Sequence, residues 1–83
     1  MGHRHAVYIL TCGDGSFYTG YTTDVERRLE EHRASEGAKY TRGRQPLDLC
    51  HVERFSSRSK AMRREAAIKS LSHAQKAALI QDD

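Results

Sequence analysis

Tyr18-Thr19-Gly20-Tyr21-Thr22 runs directly into Asp24-Val25-Glu26-Arg27-Arg28-Leu29-Glu30-Glu31-His32. A short aromatic strand containing a glycine is thus followed at once by a capped, charged helix. On that helix Arg28 and His32 lie four residues apart, so they stand one turn above each other on one face. Aromatic hydroxyls, a guanidinium and an imidazole are thereby directed to one place. That mixture suits an anionic substrate and proton transfer better than it suits a core.

The rest of the chain supplies little else to build with. Its 83 residues make one domain, near the low end of what a single hydrophobic core supports. Hydrophobic residues are 37% and tryptophan is absent, so the core is small and made of Val, Ile, Leu, Ala and the tyrosines. No apolar run approaches the roughly 18 residues of a membrane span, and no signal-peptide apolar segment opens the chain, so a cytoplasmic location is expected. Cys12 and Cys50 form no C-x-x-C pair and read as small buried thiols of a reducing compartment rather than as a disulfide. A net charge of +3, with Asp82 and Asp83 acidic at the end, leaves the body more basic than the total and favours a polyanionic partner.

Ala6 to Cys12 reads as a strand, apolar on both faces, and Phe17 to Thr22 as a second one after the turn residues Gly13-Asp14-Gly15-Ser16. With a three-residue loop and Gly15 left-handed, Cys12 pairs with Ser16, Leu10 with Tyr18 and Tyr8 with Gly20. Tyr8 and Tyr18 then emerge on one face. A two-residue Asp14-Gly15 loop would split them between faces. We take the first register, in which Gly20 leaves room for a phosphate-sized group beside the Tyr8 ring.

Thr22-Thr23-Asp24 supplies N-cap chemistry for a helix reaching about Ser35, with Gly37 as its stop. Val25, Leu29 and His32 share one face, with Arg28 at its edge. Lys39, Tyr40, Arg42 and Arg44 form a basic loop with an aromatic, suited to phosphates and bases. Leu47 to Phe55 is a third strand, with Leu47, Leu49, Val52 and Phe55 apolar. Ser56-Ser57 caps a helix to about Leu71, and Ser72 caps a last one to about Gln81, with Ala74, Ala77, Ala78 and Ile80 to pack. On the second helix Ala61, Ile68 and Leu71 cluster within one arc, and Glu65 falls inside it. A carboxylate on a core-facing stripe is costly unless a cation or metal meets it, and the neighbouring Arg64 is one available partner.

In this order the residues resemble the GIY-YIG nuclease superfamily, in particular its small stand-alone members, over nearly the whole chain. Ala6-Val7-Tyr8 stands where the family has GIY, and Tyr18-Thr19-Gly20 where it has YIG. Arg28 to His32 matches the helix with the family's arginine and histidine, and Glu65 matches its metal-binding glutamate. The resemblance implies an α+β domain of ββαβαα order, a three-stranded sheet flanked by helices. It also implies a magnesium-dependent endonuclease acting on DNA, structure-specific or non-specific, with little sequence preference and a place in DNA repair or processing. Tyr8 would be the general base or the group orienting the nucleophile, its pKa lowered by Arg28 and the metal. Arg28 would contact the scissile phosphate, His32 would share a proton with Tyr8, Tyr18 would orient a phosphate, and Glu65 would hold Mg²⁺ or another divalent cation. Many active members carry a late asparagine, and this chain has none. The alternative reading is therefore a nucleic-acid-binding module that kept the fold and lost turnover. A small zinc protein using His3, His5, His51 or Cys50 lacks any closed ligand spacing.

Overall fold

The computed structural model describes residues 3–34 and 43–81. Three strands, β1 (His5–Thr11), β2 (Phe17–Thr22) and β3 (Asp48–Phe55), and three helices, α1 (Val25–Arg33), α2 (Arg58–Lys69) and α3 (His73–Gln81), follow in the order ββαβαα. The sheet is antiparallel with β1 in the centre, in the order β2-β1-β3. A central strand covered on both faces needs apolar residues at successive positions, and Ala6 to Leu10 are all at most 2% exposed.

The β1–β2 register is the one set by a three-residue loop. Leu10 opposes Tyr18, Tyr8 opposes Gly20, and the Cys12 amide donates to the Ser16 carbonyl at 2.8 Å. Gly15 supplies the left-handed residue with φ of 85°, and Asp14 Oδ1 accepts from the Ser16 amide at 3.0 Å to close the turn.

The two faces of β1 carry different layers. Tyr8, Leu10 and Cys12 pack with Leu47, Tyr18, Val52 and Leu29 of α1, whereas Val7 and Ile9 pack with Ala61 and Ile68 of α2 and with Leu79 and Ile80 of α3. Cys12 and Cys50 are free thiols that join clusters on opposite faces of the sheet. The β1–β3 register shifts between Ile9 and Leu10: Ile9 opposes His51 and Leu10 opposes Leu49, leaving Cys50 as the extra residue of a bulge. The Cys50 thiol donates to the Ile9 carbonyl at 3.2 Å. The bulge breaks simple alternation in β3. Leu49, expected among its apolar members, is 37% exposed, while Leu47 lies just ahead of the strand and is buried.

The helix caps follow the sequence. Asp24 Oδ1 accepts from the Arg27 amide at 3.1 Å and Ser57 Oγ from the Lys60 amide at 3.2 Å. Ser72 and Gln75 bond reciprocally at the start of α3, at 3.1 and 2.9 Å, as a capping box does. Helix α2 ends at Lys69, two residues short of the expected Leu71, because Ser70 caps it. Helix α1 ends at Arg33 with Ala34 as its cap, and the expected stop at Gly37 falls outside the described residues. Helix α3 has no buried residue and is held by Leu79, Ile80 and a stack of His73 on Phe17 at 4.4 Å.

The segment before β3 docks on the hairpin. The Gly13 amide donates to the Arg44 carbonyl at 2.6 Å, and a Cβ on Gly13 would sit 2.2 Å from the Gln45 carbonyl oxygen. Gln45 Nε2 donates to the His32 and Arg33 carbonyls at 3.0 and 3.2 Å, tying this segment to the end of α1. Among the described residues no helix is long and apolar enough to cross a membrane.

Candidate functional site

The α1 face of the sheet brings together Tyr8 from β1, Tyr18 from β2, and Arg28 and His32 from α1. Tyr8 Oη lies 2.9 Å from His32 Nε2. Tyr8 is 2% and His32 0% exposed, so the pair is buried. The Tyr18 ring meets His32 edge-on at 5.1 Å between centroids and sits 6.3 Å from the Tyr8 ring. Such edge contacts hold an imidazole in one orientation.

Gly20 makes this packing possible, in a different way from the one its position suggested. A Cβ there would stand 2.5 Å from Tyr8 Oη and 3.0 Å from Tyr18 Cε2. The space over Gly20 is therefore filled by the Tyr8 phenol itself, and a phosphate-sized group has no room beside the ring at that point.

Arg28 occupies the rim. Its guanidinium donates to Glu31 Oε1 at 2.9 Å, with both side chains about a third exposed. Glu31 raises its pKa further, so the cation is permanent. The pair is exposed enough that an incoming phosphate can compete for the guanidinium.

The protonation states differ from the expectation for Tyr8. Burial pushes the phenol up to about 12, outweighing the hydrogen-bonding pull of Arg28, and the charges of Tyr18 and Glu65 add to the rise. Tyr8 therefore holds its proton at neutral pH and is not a poised base on its own. His32 moves the other way: burial first, then the Arg28 charge, holds it below the ordinary imidazole value. The pair at neutral pH is a protonated phenol against a neutral imidazole.

These shifts give stability a defined pH dependence. The unfolded chain takes up a proton at His32 below about pH 6.5, where the folded chain resists it, so stability falls on acidification. Above pH 10 the unfolded phenol ionises while the folded one waits until about 12, so stability also falls there, by about 3 kcal/mol across that window. Urea unfolding between pH 5 and 11 measures both limbs, and Tyr8→Phe should flatten the alkaline one.

Glu65 lies on α2, across the sheet from His32, yet its charge is felt at Tyr8. Its side chain is 13% exposed, and among the described residues it pairs with Lys69 at 3.5 Å, one turn on. Arg64, the neighbour available from sequence, is not its partner. Arg64 Nε donates to Glu53 Oε1 at 2.7 Å and Nη2 to Oε2 at 3.1 Å, while His51 Nε2 lies 2.7 Å from Oε2. Arg64, then His51, holds the Glu53 carboxyl below the usual range. Residues 11 apart on different elements give no local signal, so this cluster was invisible in the sequence.

The donor set fits an oxygen-seeking cation. Glu65 offers one half-buried carboxylate, and Thr19 Oγ1, on the α2-facing side of β2 opposite Ile9, is buried with no hydrogen-bond partner. Among the described residues no three His, Cys, Asp or Glu side chains gather. One carboxylate with phosphate and water oxygens is how magnesium is commonly held.

Of the basic loop, Lys39, Tyr40 and Arg42 lie outside the described residues. Arg44 is half-buried, and its Nη1 lies 3.3 Å from Asp14 Oδ2 on the hairpin turn. His5, from the H-x-H start, bonds Tyr21 Oη through Nδ1 at 2.8 Å and stacks on its ring.

A family model described as the GIY-YIG catalytic domain matches residues 4–78. The chain belongs to the GIY-YIG family. Among its relatives, the UPF0213 protein of Natronomonas pharaonis is 60% identical over 83 residues, covering 100% of this chain and 98% of its own length. The UPF0213 protein of Halobacterium salinarum is 64% identical over 75 residues, 90% of this chain and 97% of its own. The solution NMR structure of the UPF0213 protein from Bacillus halodurans is 53% identical, with a TM-score of 0.61 over 93% of this chain and 82% of that one. A second NMR structure, of a protein from E. faecalis, is 50% identical with a TM-score of 0.66 over 94% and 83%. In GIY-YIG terms, Tyr8 and Tyr18 come from the two motif strands, Arg28 and His32 from α1, and Glu65 from α2, and this is a nuclease superfamily.

Proposed function

We propose that this GIY-YIG protein is a divalent-cation-dependent endonuclease that hydrolyses DNA phosphodiester bonds with little sequence preference, in the cytoplasm and in DNA repair or processing. The observation that carries the reading is the buried Tyr8 Oη to His32 Nε2 contact at 2.9 Å beside a permanent cation, Arg28. A purely structural core has little use for a phenol against a neutral imidazole when both lie next to a guanidinium.

The raised Tyr8 pKa makes the proton path a relay. As water attacks phosphorus, its proton passes to Tyr8 Oη while the Tyr8 proton passes to His32 Nε2, and the bond from phosphorus to the opposite ester oxygen breaks, that oxygen leaving with the bonding pair and taking a proton from solvent. The phenol never has to exist as a free phenolate, which its burial forbids. The resulting imidazolium is penalised by the same burial, and the negative charge growing on the phosphoryl oxygens offsets that penalty. Arg28 leaves Glu31 to meet those oxygens, and Tyr18 orients one through its hydroxyl. Glu65 would hold Mg²⁺, which supplies charge stabilisation at the phosphate. Arg44, with the basic loop, would contact the backbone away from the scissile bond.

The alternative, a binding module without turnover, has one observation in its favour: Tyr8 does not ionise near neutral pH. Incubating the protein with labelled single-stranded, duplex, nicked and branched DNA, with Mg²⁺ or EDTA, separates the two. Strand scission that needs Mg²⁺ is the expected result. DNA binding without scission on any form would leave the module.

A further inference from the structure

Helix α2 carries its two key side chains on opposite flanks. At about 100° per residue, Ala61 and Ile68 define the seam that packs on β1, Arg64 falls roughly 50° to one side, and Glu65 roughly 50° to the other. The sheet order β2-β1-β3 turns this into a choice of neighbour. Arg64 reaches β3, where it grips Glu53 through both guanidinium nitrogens at 2.7 and 3.1 Å. Glu65 lies on the other flank of the seam, with Lys69 one turn on at 3.5 Å, and its charge reaches Tyr8.

The grip is built to be stiff. Glu53 opposes Val7 in the sheet and His51 opposes Ile9, so both stand on the strands that α2 covers. His51 is 5% exposed, and its Nε2 lies 2.7 Å from Glu53 Oε2, the oxygen that Arg64 Nη2 also reaches. A forked, charge-assisted pair adds a directional constraint to the non-directional apolar contacts through Ala61 and Ile68. A 20° roll of the helix would carry a carboxylate at its rim by roughly 2 Å. A displacement of that size is enough to spoil a cation site.

We propose that the Glu53–Arg64 fork, braced by His51, is a positioning device that sets the roll of α2 and thereby aims Glu65 at the cation it would share with the scissile phosphate. The proposal rests on the nuclease reading and adds residues to it that do not touch substrate.

The test uses Arg64→Lys and Glu53→Gln in the full chain. Arg64→Lys keeps the charge but loses the fork, and Glu53→Gln keeps the shape but loses the charge. Mn²⁺ is the probe, followed by paramagnetic broadening of amide resonances in the absence of DNA. Broadening centred on Glu65 in the wild type, with affinity reduced about 10-fold in both variants, is expected. The Mg²⁺ concentration for half-maximal cleavage should rise by a similar factor, with the rate at saturating Mg²⁺ within about threefold of wild type. A packing role alone would lower the melting temperature and leave Mn²⁺ affinity unchanged, and that result overturns the proposal while the nuclease reading stands. A wild type that binds Mn²⁺ at Glu65 but cuts no DNA overturns the nuclease reading while the fork remains measurable through Mn²⁺ affinity. A wild type that does neither overturns both.

Discussion

Replacing Glu65 by glutamine should lower Mg²⁺-dependent cleavage by on the order of 10³-fold, because a neutral amide is a far poorer ligand for a hard cation than a carboxylate. The fold should barely notice. Glutamine has the same shape, and the ion pair lost among the described residues is an i,i+4 contact to Lys69 at 3.5 Å whose lysine is half exposed. Pairs of that kind contribute about 0.3–0.5 kcal/mol. Relief of a half-buried charge acts in the opposite direction, so melting temperature should move by only a few degrees either way. DNA affinity without metal should stay near that of the wild type. Cleavage rate, melting temperature and metal-free DNA affinity, measured side by side, check all three. If the variant cuts as fast as wild type, Glu65 is an ion-pair residue and the cation site is elsewhere.

Tyr8→Phe should also fold and lose turnover, by about 10²–10⁴-fold, since it deletes the hydroxyl through which the relay passes. The ring still fills the space above Gly20, but His32 loses the phenol hydrogen bond in a buried environment. That loss costs about 1–3 kcal/mol, a drop of roughly 5–15 °C in melting temperature for a domain of this size. Gly20→Ala provides the complementary test. It alters no catalytic group, yet its Cβ would stand 2.5 Å from Tyr8 Oη and 2.6 Å from Cζ, so the phenol must swing away from His32. Overpacking of this kind costs about 1–3 kcal/mol. Activity should fall nearly as far as in Tyr8→Phe. Full activity in Tyr8→Phe would remove the relay. Full activity in Gly20→Ala would show that the hydroxyl's position is immaterial.

The sequence decided what depends on local spacing. Of the two loops the sequence offered, the three-residue one with Gly15 left-handed was the one taken, and it pairs Tyr8 with Gly20 and puts both tyrosines on one face. Asp24, Ser57 and Ser72 stand where orphan amides need acceptors, so the helix starts were legible too. The four-residue spacing of Arg28 and His32 guaranteed a common face, and Glu65 was conspicuous as a carboxylate on an apolar stripe.

Only the tertiary structure decided what depends on burial and on contacts between distant elements. Arg28 and the metal together were expected to lower the Tyr8 pKa; against Arg28 alone, removal of water from around the phenol wins, and no sequence gives the depth of a side chain. Gly20 was read as room for a ligand, and the room is taken by a ring from the neighbouring strand. The bulge at Cys50 re-phases β3 through a pairing irregularity that alternation cannot reveal. Arg64 was set beside Glu65 by chain order, yet a helix turns adjacent residues about 100° apart. That turn sends Arg64 to Glu53 on β3 and leaves Glu65 on the other flank of the Ala61–Ile68 seam, with Lys69 as its ion-pair partner.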